Sequence, residues 1–371
     1  MGKKHGGRRK PDRQEAVAKE AVLRHVDEMR RPGGLLDAGE VKQMSSYHVT
    51  DVWGGMGTIS EVAIQQGDGD ERLFIVKHVH IGDCHSAGDI RKRDSYHVEA
   101  NFYERGHATA LTRAGARCPQ LAFVEREADG SDIVLCISRL EGMPARRLSP
   151  AQTDAALLWL ARLHAAYWGP RADVAVEKGG LQPQGCYWYL DTRGEEHKRM
   201  PADGWQGRLR LAAKAIDERL KADPHQTVVH GDAKSENMLF VSGGGSVSVG
   251  YFDFQYTGKA HPAKDLAYCL LGLDEDHGTG AESKYLDRYL AHLTPLLEAQ
   301  GDTPPTLQQL KVAYGLCMCD FARFMSGWGF CGFESTLRKH CKATLDAIDS
   351  GHMLGSEEAY SEAILRAFPV A

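Results

Sequence analysis

Three oxygen-bearing side chains mark the stretch of this sequence best suited to chemistry. Asp232 and Asn237 lie in His230-Gly231-Asp232-Ala233-Lys234-Ser235-Glu236-Asn237, and Asp253 follows in Tyr251-Phe252-Asp253-Phe254-Gln255. Between them, Met238-Leu239-Phe240-Val241 and Val247-Ser248-Val249 flank Ser242-Gly243-Gly244-Gly245-Ser246, which predicts two short strands joined by a glycine turn. A hairpin brings its ends together, so Asn237 and Asp253 converge, with Asp232 on the loop just before. Hard oxygen ligands of this kind suit magnesium, which takes one or two carboxylates plus substrate phosphates. The stretch reads as one built to place a metal-nucleotide. In the plainer reading Asp232 and Asn237 cap turns and Asp253 ends a strand.

The elements upstream must supply the remaining charges. Val52-Trp53-Gly54-Gly55-Met56-Gly57-Thr58 is glycine-rich, and glycines let backbone amides approach a phosphate closely. It precedes Leu73-Phe74-Ile75-Val76-Lys77-His78-Val79, a β-branched and aromatic run with one lysine inside it. A lysine in a buried strand needs an anion. A helix is predicted from Asp89 to about Leu111, in which Tyr96, Glu99, Phe102 and Tyr103 recur at spacings of three and four. Glu99 on that apolar stripe is costly unless paired, and Lys77 is its natural partner; at a helix edge it would be solvated instead. His78, His80, Cys84 and His85 could be drawn as a zinc cluster, but they fall on a strand end and loop without a second ligand pair.

His230-Gly231-Asp232 followed by Asn237, with Asp253-Phe254-Gln255 downstream, resembles the catalytic and metal-binding loops of the protein-kinase-like phosphotransferases. The likeness is to the branch that phosphorylates small molecules: aminoglycoside phosphotransferases, choline kinases and the ecdysteroid-kinase-like (CHK kinase-like) group. The HGD opening, the DFQ, Glu99-Ala100-Asn101-Phe102-Tyr103 and Pro262-Ala263-Lys264-Asp265-Leu266-Ala267-Tyr268 favour that last group. The resemblance implies an α+β, two-lobed fold, with a small antiparallel-sheet N-lobe and a larger, mainly helical C-lobe.

By the same likeness Asp232 is the base that orients the acceptor hydroxyl and Asn237 and Asp253 hold Mg2+. Lys77 contacts the α- and β-phosphates of ATP, Glu99 fixes Lys77, and Gly55 and Gly57 belong to the loop over the nucleotide. Lys234 stands where protein kinases keep a lysine that touches the transferred phosphate. Ser138-Arg139-Leu140-Glu141-Gly142 falls at the hinge, Asp265 buttresses the catalytic loop, and His164 resembles the family's histidine in this helix, read as a core residue beneath that loop rather than a catalytic one. The implied organisation is a basic tail and leading helix over 1–35, a nucleotide-binding lobe over 36–140 and a catalytic and acceptor-binding lobe over 141–371.

Composition bounds the same picture. A chain of 371 residues suits two lobes rather than one core. A net charge of -5 supplies no overall basic field, so nucleic acid is not an expected partner. Nine cysteines without close pairing point to free thiols in a reducing, cytoplasmic setting. No apolar run reaches the ~18 residues of a membrane span. The first thirteen residues are rich in Lys, Arg and Gly without the apolar core of a secretory signal, and read as a solvated tail.

Elsewhere, helices are predicted over Gln14 to Met29, from the Ser149-Pro150-Ala151-Gln152 cap onward, near Gln206 to Leu220, and over about Glu282–Gln300, Thr306–Gly327 and Thr336–Ser350. Leu121–Val124 and Ile133–Ile137 read as a further hairpin. Tyr187-Trp188-Tyr189 and Trp205 belong either to an acceptor pocket or to ordinary core. Asp320 and Arg323, three apart in an apolar helix, pair with each other or bind the acceptor. The expected activity is transfer of the γ-phosphate of ATP to a hydroxyl of a small molecule. Two rivals stand beside it: a protein kinase, which Lys234 permits although only Gln255 to His261 separates the metal loop from Pro262, and a nucleotide-binding scaffold without catalysis.

Overall fold

The computed structural model describes residues 13–370 apart from 53–54, 68, 70, 81–85, 272 and 274–280. The basic tail, Trp53, Cys84 and His85 lie outside these residues. Two compact units are present, Met1–Thr109 with Pro119–Leu140 and Ala110–Cys118 with Glu141–Ala371.

The first unit is built on an antiparallel sheet. In chain order it comprises α1 (Arg13–Met29), β1 (Val41–Asp51), β2 (Gly57–Gln66), β3 (Glu71–His80), α2 (Ala87–Glu104), the start of α3 (His107–Arg113), β4 (Leu121–Arg126) and β5 (Asp132–Ser138). The strand order is β1-β2-β3-β5-β4. Side chains alternate across a strand, so β3 splits its residues between two faces. Phe74 and Val76 join Val62, Ile64 and the Ala21, Val22 and Val26 stripe of α1 in one core cluster. Val79 joins Tyr96 and Ala100 of α2 in another. Lys77 shares the parity of Val79, so period two alone turns it toward α2.

The predicted helix over Asp89 to Leu111 is two helices. Gly106, at φ +81°, adopts a left-handed turn that α2 cannot continue through, and α3 restarts at His107. Two short strands are expected to flank the glycine-rich stretch, and β1 and β2 do so; the reach of β1 back to Val41 was not anticipated, because most of its residues are exposed or half-exposed and an edge strand here carries little apolar pattern.

The second unit is mainly helical. It continues with α4 (Pro150–Ala166), α5 (Pro170–Glu177), α6 (Gly194–Lys198), α7 (Gly204–Lys221), β6 (Thr227–Val229), β7 (Met238–Gly243), β8 (Ser246–Tyr251), β9 (Gly258–Ala260), α8 (Ala263–Leu270), α9 (Ala281–Glu298), α10 (Leu307–Ser326), α11 (Glu334–Asp349) and α12 (Glu357–Ala367). The capping box predicted at the start of α4 is present, with Ser149 and Gln152 each accepting the other's backbone N–H. α4 packs on α9, and α10 on α7, α8 and α11. α12 was not foreseen; it docks on α7 and α11, where Arg208 donates to Asp349 and Tyr360 donates to the same carboxylate at 2.7 Å. Among the described residues no helix is long and apolar enough to cross a membrane.

Candidate active site

The site in the second unit grows out of two small antiparallel ladders. β6 pairs with β9, and β7 pairs with β8 from Met238↔Tyr251 to Gly243↔Ser246, turning at Gly244 and Gly245. The loop from β6 to β7 carries His230 through Asn237, and the loop from β8 to β9 carries Phe252 through Thr257. The backbone N–H of Phe252 donates to the carbonyl of Asn237 at 3.2 Å, so the open end of the hairpin stays closed one step beyond the strands.

Asp265, at the start of α8, organises the first loop. Its Oδ2 accepts the N–H of His230 at 2.7 Å and its Oδ1 that of Gly231 at 2.9 Å. His164 of α4 bonds the same carboxylate through Nε2 at 3.2 Å, and its Nδ1 meets the Tyr289 hydroxyl at 2.8 Å. His164 is therefore a core histidine that orients Asp265. Gly231 has φ +82°, and a Cβ there would lie 2.2 Å from the Tyr256 carbonyl oxygen. Only glycine fits where the two loops touch.

Asp232 follows, 3% exposed. Its Oδ2 accepts from Lys234 Nζ and from Asn237 Nδ2, both at 2.9 Å. Asn237 Nδ2 also donates to the Asp232 carbonyl at 2.9 Å. Oδ1 of Asp232 is buried and has no hydrogen-bond partner among the described residues. Burial raises the Asp232 pKa, the charge of Asp253 adds to it, and Lys234 opposes. His230 is pushed the other way: burial holds its imidazole below the usual histidine range. Its Nε2 donates to the Phe252 carbonyl at 3.1 Å while its Nδ1 accepts the Asp232 N–H at 3.3 Å.

Asp253 occupies a left-handed conformation, φ +68°, sparsely populated by non-glycine residues. Gln255 Nε2 donates to its Oδ1 at 2.7 Å, a contact that the sequence did not disclose. The donor set fits a hard divalent cation. Asn237 commits its amide nitrogen to Asp232, which leaves its oxygen as the ligand atom, and Asp253 offers a carboxylate.

The first unit holds the other charged candidates. Lys77 Nζ bonds Glu99 Oε2 at 2.6 Å, with Lys77 8% and Glu99 3% exposed. The Tyr96 ring lies 5.4 Å from the ammonium. Gly55 has φ +72° and open space where a Cβ would stand. At Gly57 a Cβ would lie 2.1 Å from the His78 carbonyl, so this glycine serves the packing of β2 on β3. His78 and His80 both bond Asp132, at 2.8 and 3.1 Å, which accounts for them without a metal. In the second unit Asp223, His225 and His261 cluster with ligand geometry. Arg219 donates to Asp223 at 2.8 Å and His261 Nδ1 accepts the Ala263 N–H at 3.1 Å, so a cation and a protonated Nε2 already fill that corner.

Asp320 and Arg323 do pair, with Nε to Oδ1 at 2.9 Å. The missing third member is Lys264, whose Nζ reaches Asp320 Oδ2 at 2.8 Å. No local pattern announces it, because its partner lies 56 residues away in the chain.

The family model described as "Phosphotransferase enzyme family" (APH) matches residues 63–300. A comparison with curated proteins finds no match. Among solved structures, a microcompartment-associated aminopropanol kinase superposes with a TM-score of 0.52 at 13% identity, covering 96% of this chain and 99% of that one. An aminoglycoside-3'-phosphotransferase of type VIII gives 0.41 at 20% identity, over 83% and 99%. The amicoumacin kinase hAmiN, in complex with AMP-PNP, Ca2+ and Ami, gives 0.48 at 14%, over 88% and 96%. The aminopropanol kinase likeness concerns the fold, an α+β, protein-kinase-like one. With nearly two thirds of its length matched by that model, the chain belongs to the phosphotransferase enzyme family.

Proposed function

We propose that this phosphotransferase is a kinase that moves the γ-phosphate of ATP to a hydroxyl of a small molecule. The observation that carries the reading is the Asp232 carboxylate. One oxygen is held by Lys234 and Asn237, and the other is buried with no partner among the described residues. A buried, unsatisfied carboxylate oxygen is expensive, and a hydroxyl of the acceptor would satisfy it. In the proposed step that hydroxyl gives its proton to Asp232 Oδ1 as its oxygen bonds to the γ-phosphorus. The bond to the bridging oxygen of ADP breaks, and ADP leaves with that electron pair.

The remaining roles follow the same logic. Lys77, fixed by Glu99, holds the α- and β-phosphates; Gly55 belongs to the loop above them, and Gly57, the first residue of β2, lets that strand pack closely on β3 beside it. Lys234 neutralises Asp232 until the acceptor arrives and stands beside the transferred phosphate. Asn237 and Asp253 would hold magnesium, which when bound neutralises charge on the phosphates. Residues 36–140 serve the nucleotide and 141–371 the chemistry and the acceptor. The motif residues Glu99 to Tyr103 and Pro262 to Tyr268 favour the ecdysteroid-kinase-like group. The described cysteines are all free, seven of them buried, which accords with a cytoplasmic enzyme.

The test is ATP consumption, with magnesium, across hydroxylated amines, aminoglycosides, sterols and sugars. Acceptor-dependent ADP formation is expected. ATP binding without turnover on any acceptor would favour the scaffold reading instead.

A further inference from the structure

Beside the catalytic loop stands a wall of aromatic side chains that the chemistry above does not use. The close fit at Gly231 sets its position: a Cβ there would lie 2.2 Å from the Tyr256 carbonyl and 2.7 Å from the Cys186 nitrogen. Tyr256 and Tyr187 are thereby pinned next to Asp232. The two rings lie 4.9 Å apart, and the Tyr187 hydroxyl bonds that of Tyr268 at 2.8 Å. Phe324 meets Tyr187 edge-on at 5.5 Å, and Trp328 follows at 5.9 Å from Phe324. Tyr187, Tyr256 and Tyr268 are partly exposed, Phe324 behind them is 5% exposed, and Trp328 at the outer end is 47% exposed. Burial, reinforced by the Asp232 charge, drives both Tyr187 and Tyr268 above the usual phenol range; one of the two protons is spent on the bond between them, which leaves the other to donate.

The wall is rigidly backed. Lys264 lies over the Trp188 ring at 4.4 Å, Arg323 donates to the Trp188 carbonyl at 2.5 Å, and Asp320 ties the two cations together. The cation position on its outer face is already taken. The Arg193 guanidinium sits 5.1 Å from the Phe324 ring, 5.9 Å from Tyr187 and 6.0 Å from Trp328. It is also ion-paired with Glu196 at 3.7 Å, which helps to hold it against the rings. Ring faces attract one cation, and a second would meet the guanidinium instead. A planar guanidinium favours carboxylates and flat rings over ammonium groups.

We propose that this wall is the acceptor site and that Arg193 makes it select a ring-bearing alcohol that is neutral or acidic over one carrying an amine. The proposal rests on the kinase reading above and adds the class of acceptor to it.

The test uses three matched probes: benzyl alcohols with a para carboxylate, a para hydroxymethyl or a para aminomethyl group. Turnover is read as kcat/KM with ATP and magnesium, and binding separately as the change in tryptophan fluorescence that is lost in Trp328→Phe. The wild-type protein is expected to favour the carboxylate and hydroxymethyl probes over the aminomethyl one by about tenfold or more. Arg193→Glu reverses the order and Arg193→Gln flattens it. Equal or better use of the aminomethyl probe, unchanged in both variants, overturns the acceptor class while the kinase reading stands. Binding in the expected order without phosphate transfer supports the site, and the kinase reading then falls only if the wider acceptor panel is not turned over either. Neither binding nor transfer with any probe overturns the proposal.

Discussion

Asp265 accepts the backbone N–H of Gly231 on one carboxylate oxygen at 2.9 Å, and that of His230 on the other at 2.7 Å. A single side chain on α8 thus fixes the two residues that precede Asp232, and His164 fixes that side chain in turn. Charge-assisted bonds of this kind contribute about 1.5–3 kcal/mol each. Asp265→Asn puts an amide N–H against a backbone N–H. We expect it to lower kcat by at least tenfold with little change in nucleotide affinity, and to lower the thermal midpoint. Steady-state kinetics, nucleotide titration and a melt check this; weakened ATP binding with kcat intact would contradict it.

Lys77 and Glu99 form a pair that is almost wholly buried. Removing one partner strands the other charge, at a cost of about 3–5 kcal/mol. Lys77→Ala should therefore lower stability to urea, whereas Lys77→Met with Glu99→Gln should recover most of it. The double variant should still lose ATP affinity, because the phosphates lose their cation. Comparing unfolding curves with nucleotide titrations separates the two effects.

Gly231 and Gly55 both have positive φ, but their surroundings differ. At Gly231 an added Cβ meets the Tyr256 carbonyl, and at Gly55 it meets nothing within 4 Å. Gly231→Ala should displace the catalytic loop, with a large loss of both turnover and melting temperature. Gly55→Ala carries only the backbone penalty of about 1–2 kcal/mol. A melt of each variant tests the contrast.

The Asp232 carboxyl titrates above the usual aspartate range, because burial and the charge of Asp253 outweigh Lys234. Two consequences follow for pH. The acidic limb of kcat/KM should lie above that of an ordinary aspartate, since the base proposed here takes a proton only when ionised. For stability the sign is the opposite of a salt-bridged carboxylate. Ionised Asp232 destabilises the fold, fully so above its raised folded pKa and not at all below its unfolded pKa. Asp232→Asn should therefore match or exceed the wild-type melting temperature at neutral pH, and the gap should close as pH falls through that window. Melts of the pair over a pH series measure the gap; one that widens toward acid would contradict the assignment.

The polar centre of each unit was legible where the residue pattern broke a rule locally. One lysine inside a β-branched strand and one glutamate on an apolar helical stripe pointed to each other, and the two carboxylates around a glycine-turn hairpin fixed the second cluster. Contacts between distant elements were not legible. Lys264 meets Asp320 and Tyr187 meets Tyr268 across long stretches of chain, and periodicity says which face is buried without saying what lies opposite. The exposed edge strand β1 lacked apolar alternation. The break between α2 and α3 turned on Gly106, a single residue within an otherwise continuous helical pattern.

The most direct test of the central claim follows the phosphate itself. Phosphorus NMR of a reaction containing ATP, magnesium and a turned-over acceptor, with wild-type protein and with Asp232→Asn, reports both product and rate. The account predicts a phosphate ester on the acceptor hydroxyl, formed roughly two to four orders of magnitude more slowly by the variant while ATP still binds. An ester formed at the wild-type rate by Asp232→Asn would contradict it.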